Sequence, residues 1–198
     1  MAIQTALNRI SREIGVKRCL LIDGNVDDLF LDEKGKISTL TDYLKDKLDG
    51  YDVICWDSVN HLTGNLDHLQ LEELPEKSGD VYELDDETPN STSRKGNLQN
   101  VIKADSPKDI FNVIRINMSS KSAFRFAFIV DWADYIFGNS TSTDSPEREW
   151  LTMLGKSLNG KPKSMSLSAD ENVVIFITRS LAMFPVSFYQ KNPQVSCI

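Results

Sequence analysis

Uninterrupted apolar runs, each closing on a polar residue, punctuate the chain. Ala127, Phe128, Ile129 and Val130 run into Asp131, Cys19 to Ile22 into Asp23 and Gly24, and Val173 to Ile177 into Thr178 and Arg179. Runs without polar alternation predict strands covered on both faces, as at the centre of a parallel sheet. Asp52 to Trp56, followed by Asp57, and Val195 to Ile198 are two further strand candidates. Between the runs the period becomes helical. Ile3, Leu7, Ile10 and Ile14 mark one face of an opening helix that Gly15 ends. Leu40, Tyr43, Leu44 and Leu48 define a second, with Ser38 or Thr39 as N-cap and Gly50 as its stop. Ser106, Pro107 and Asp109 open a third, with Ile110, Phe111 and Ile114 inward. Ser145 and Pro146 open a fourth, with Trp150, Leu151, Leu154 and Leu158 inward and Asn159 and Gly160 at its end.

Alternating strands and helices predict an α/β fold: three layers, with a mostly parallel five-stranded sheet and helices on both faces. Two segments depart from the alternation. Lys34 to Lys36 reads as a turn, and Gly64 to Asn97 is acidic and broken by Pro75, Gly79, Pro89 and a Ser/Thr cluster. The latter is expected as a surface insertion with a short strand at Val81 to Leu84. A length of 198 residues with 40% hydrophobic content fits one domain spanning residues 1–198.

The formal charge of −7 argues against nucleic-acid binding, which relies on clustered Lys and Arg to displace counterions from phosphates. The amino terminus has no apolar signal region, and no run reaches the roughly 18 apolar residues of a membrane span. The expectation is a soluble, cytoplasmic protein. Cys19, Cys55 and Cys197 form no CxxC pair and lie in or beside strand-like segments, so buried thiols are expected. His61 and His68, seven apart, could share a helical face but lack a metal-binding motif. There is no GxSxG to recommend a serine nucleophile.

Candidate chemistry lies where the apolar runs end. In open α/β sheets, ligands bind beyond the carboxyl ends of the strands, which is where Asp23, Asp131 and Thr178 fall, with Asp134 one turn past Asp131. The same residue types also form turns and cap helices after buried strands.

IVDWADYIF resembles the Walker B segment of the AAA+ ATPases, members of the P-loop NTPase-like group, in which hydrophobic residues precede Asp-Glu-Ala-Asp. VVIFITRS is similar to their sensor 1 strand, and the spacing between the two segments is similar as well. The resemblance covers roughly Lys17 to Ile198. It implies Asp131 and Asp134 as Walker B-like residues and Thr178 and Arg179 as sensor-like residues. Asp23, Gly24 and Asn25 fall at a vestigial phosphate-loop position. ATP and Mg2+ are the cofactors implied, with Asp131 the metal ligand if any. Departures are equally specific. DGNVDDLFLDE stands where the family has GxxxxGK(S/T), and Asp23, Asp27 and Asp28 would repel a triphosphate. Trp132 replaces the water-polarising glutamate, and Lys191 is the cation nearest the expected finger arginine.

The resemblance therefore implies a degenerate, non-hydrolysing core without its helical lid, the amino-terminal piece of a longer bacterial AAA-family ATPase. Its partners would be proteins or further copies, through AAA+-type interfaces, with no nucleic acid and no membrane. A weakly ATP-binding domain is one alternative. Another follows from LLIDGN, which is similar to the first strand of PIN or NYN nucleases, where Asp23, Asp131 and Asp134 would hold Mg2+ or Mn2+.

Overall fold

A computed structural model describes residues 2–25, 28–31, 35–56, 61–70, 100–103, 106–119, 124–131, 133–158 and 172–198. The strand expected at Val81 to Leu84 lies outside the described residues, as do Asp27, Lys34, Asp57, Trp132, Asn159 and Gly160. In chain order the elements are α1 (Ala2–Glu13), β1 (Cys19–Asp23), β2 (Leu29–Leu31), β3 (Ile37–Thr39), α2 (Leu40–Lys47) and β4 (Asp52–Trp56). Then come β5 (His61–Gly64), β6 (Asn100–Lys103), α3 (Pro107–Ser119), β7 (Phe126–Val130), α4 (Ala133–Phe137) and α5 (Pro146–Leu158). β8 (Val173–Thr178), α6 (Val186–Gln190) and β9 (Val195–Cys197) complete the chain.

The main sheet has the order β6-β5-β4-β7-β8-β1-β9. The five expected strands form its parallel part, β4 through β9 in that order. Two antiparallel strands, β5 and β6, extend it beyond β4, so the sheet has seven strands rather than five. Gly64, expected to open the insertion, is instead the last residue of β5 and pairs with both Ile54 and Asn100. A separate two-stranded ribbon, β2 with β3, occupies the stretch between β1 and α2.

Unbroken apolar strands are explained by the two layers they separate. Phe126, Phe128 and Val130 join Cys19, Leu21, Val174 and Phe176 in a core with α3, α4, α5 and α6. Ala127 and Ile129 alternate to the other face and join Leu20, Ile22, Val173, Ile175 and Ile177 against α1 and α2. Period-two alternation thus puts an apolar residue into a core at every position, which is the condition for a central parallel strand. Thr39 caps α2 by accepting from the Asp42 amide at 3.1 Å.

Buried polar groups tie the layers together. Asn172, beside β8, accepts from the Phe126 amide at 2.8 Å and donates to the Asn117 carbonyl at 2.6 Å. The Asn117 side chain donates to the Val113 and Gln70 carbonyls and accepts from the Gln70 amide. Arg18 donates to the Met118 carbonyl at the end of α3 and to the Ser157 and Leu158 carbonyls at the end of α5. A guanidinium there satisfies carbonyls left without intrahelical partners and faces the negative ends of both helices.

The three thiols are free. Burial pushes Cys19 well above its ordinary value of 9.0, reinforced by Cys197 on the neighbouring strand. Burial also raises Cys55, partly offset by Lys45, and Cys197, partly offset by Arg9. Because the folded state holds these protons more tightly than the unfolded chain, their contribution to stability is intact below pH 9 and declines as pH rises above it. A thiol-specific disulfide reagent at pH 8 is expected to react with the native protein far more slowly than with the unfolded chain. Rapid native labelling of Cys19, read by mass spectrometry, would contradict this burial.

Candidate functional site

The connections of β1 and β8 leave the sheet on opposite sides. β1 leads to α2, in the core on one face, and β8 leads to α6, in the core on the other. β1 and β8 are parallel neighbours with Asp23 in register with Thr178. Their carboxyl ends therefore mark a topological switch point, where open α/β sheets place their ligands. Gly24, Asn25, Asp131, Asp134, Ile177 and Arg179 line the crevice there. Five of the seven sequence-predicted site residues thus meet around one opening. Asp23 and Thr178 stand beside it.

Local bonding fills this crevice. The Gly24 amide donates to the Thr178 carbonyl at 2.8 Å, so the turn after β1 is stitched to the end of β8. The Asn25 amide donates to Asp28 Oδ2 at 3.2 Å, while the Asp28 amide donates to the Asn25 carbonyl at 3.1 Å. Asp134 Oδ1 accepts from the Arg179 amide at 3.2 Å, linking the start of α4 to the end of β8. The buried Thr178 hydroxyl sits in a tight turn with Ser180, accepting from its amide at 3.1 Å and lying 3.2 Å from its carbonyl oxygen. The empty space among the described lining residues totals about 140 Å³.

A triphosphate cradle needs free backbone N–H groups in a loop that runs straight into a helix N-terminus. Here the Gly24 and Asn25 amides are engaged within the chain, and the ribbon β2–β3 separates β1 from α2. Asp131 and Asp134 also line the crevice. Among the described residues, this turn offers ATP with Mg2+ no free backbone cradle.

Other candidates are dispersed. Among the described residues no group of three His, Cys, Asp or Glu side chains stands close enough to hold a metal ion. Asp23, Asp131 and Asp134 therefore do not form the cluster that the nuclease alternative needs. Lys191, the expected stand-in for a finger arginine, lines a separate groove between α5 and α6. The histidines do not share a helical face. His61 is a strand residue opposite Lys103, and His68 stacks on Phe124 with its Nδ1 3.0 Å from Asp52 Oδ2.

Parallel strands between two helical layers, with a crevice at the switch point, define a Rossmann-like α/β domain. The chain belongs to the family described as AAA+ chaperone, N-terminal Rossmann-like domain, whose model matches residues 5–198. N-terminal domains of AAA+ chaperones generally mediate protein interactions. No curated protein and no solved structure matches the chain significantly. Among the described residues no helix is long and apolar enough to cross a membrane.

Proposed function

We propose that this domain is a non-hydrolysing AAA+-type core that serves the assembly or regulation of an active ATPase module in the cytoplasm. The observation that carries this reading is the turn after β1, where the amides of Gly24 and Asn25 are bonded within the chain and not free for a phosphate. Phosphoryl transfer depends on positioning and on stabilising charge, so a site without a cradle has little to offer it. Asp131 and Asp134 are then structural residues. The bond from Asp134 to the Arg179 amide supports that role, because it holds the end of β8 in place.

The test is to mix the domain with an active AAA+ module and follow both sedimentation and steady-state ATP turnover. The domain alone is expected to show no turnover. Asp131→Asn should leave turnover of the mixture within about twofold of the parent, since an effect on chemistry would exceed that. Turnover by the isolated domain that disappears in Asp131→Asn would sink the proposal.

A further inference from the structure

A groove between α5 and α6 is lined by Leu151, Gly155, Pro185 and Phe188 on its apolar side, with Lys156 and Lys191 among its polar residues. We propose that it is a docking site for an acidic peptide segment of a partner protein that inserts one aliphatic side chain. This deepens the assembly reading by naming a partner surface, and it rests on that reading only for its biological use.

Three observations carry it. The first is charge. Acids outnumber bases 29 to 22 in the chain, yet among the described residues the groove is lined by two lysines and no acid. Both lysines are exposed, and among the described residues neither is ion-paired. A net charge of −7 disfavours an anionic partner at long range, so recognition has to occur at contact, through the ammonium groups. The second is size. The groove holds about 250 Å³, below the roughly 300–1,000 Å³ of small-molecule pockets and suited to a side chain.

The third is Gly155. Glycine inside a helix weakens it, and packing does not require one here. A Cβ at Gly155 would lie 3.6 Å from Phe188 and 3.7 Å from Asn192 Nδ2, ordinary contact distances. What the missing methyl leaves is depth in the groove, at the point where an inserted side chain would rest.

The experiment titrates the full chain into a fluorescein-labelled peptide with a central leucine flanked by Glu and Asp, read by anisotropy. Saturable binding is expected, weakened at least about tenfold by the pair Lys156→Glu and Lys191→Glu. Gly155→Ala is expected to raise Tm by about 2–4 °C while weakening binding, a combination that misfolding cannot produce. A peptide with Lys in place of its acids should not bind. Absence of saturable binding, equal binding of the charge-reversed peptide, indifference to the lysine reversals, or displacement by inorganic phosphate would each overturn the proposal. The switch-point crevice shares no lining residue with this groove, so the two readings fail separately.

Discussion

Phe137→Ala is expected to lower the unfolding free energy by roughly 3–5 kcal/mol, the usual cost of truncating a fully enclosed phenylalanine. Phe137 has no exposed surface, and its ring meets Trp56, Phe111, Phe176 and Phe184 at centroid distances of 6.4, 6.2, 5.5 and 5.9 Å. It thereby joins β4, α3 and β8 through α4, and the hole left by alanine is walled by rigid rings that cannot collapse into it. For a domain of this size the loss corresponds to a Tm lower by about 10 °C. Phe137→Leu, which keeps most of the volume, should cost about 1–2 kcal/mol. Equal losses for the two variants in denaturant titration would show that ring packing is not what Phe137 supplies.

Gly64→Ala should be nearly as damaging, for a different reason. Gly64 has φ of +126°, and a Cβ there would stand 2.2 Å from the Val53 carbonyl oxygen on the adjacent strand. Backbone strain of about 1–3 kcal/mol adds to a clash that neither strand can relieve without loss of pairing, for an expected total of roughly 2–4 kcal/mol. Gly15→Ala is the control. Its φ of +83° imposes strain, but a Cβ there meets nothing within 4 Å, so about 1 kcal/mol is expected. If the two variants lose the same stability, the close approach of β5 to β4 is not the constraint it is taken to be.

Gly64 also shows where reading from residues stopped. Cys19 to Ile22, Phe126 to Val130 and Val173 to Ile177 announced themselves because both faces of each strand are buried, so that no polar residue interrupts them. β5 and β6 lie at the far edge of the sheet, carry His61, Thr63, Asn100 and Lys103, and are joined by a long polar stretch. Nothing local marks such strands, because pairing makes them strands: β5 on β4, and β6 on β5. The ribbon β2–β3 was hidden likewise, since Leu29, Leu31 and Ile37 are exposed and only Phe30 packs inward, against Tyr43.

The crevice was legible for a simple reason: residues that follow buried parallel strands must emerge at the same edge. Asp131, Asp134 and Arg179 could therefore be brought together from their positions alone. What happens inside it could not be read. The bonds from Gly24 to Thr178 and from Arg179 to Asp134 depend on register between strands far apart in sequence. The groove beside Lys156 and Lys191 was missed because it depends on how two helices meet, and a lone glycine in a helical pattern carries no such message.

In the proposed reading, the described residues of the turn after β1 leave no seat for a triphosphate. Calorimetric titration of the domain with ATP and Mg2+ tests this most directly. Heats indistinguishable from dilution, for the parent and for Asp131→Ala alike, are the result predicted. Saturable one-to-one binding that Asp131→Ala abolishes would contradict it.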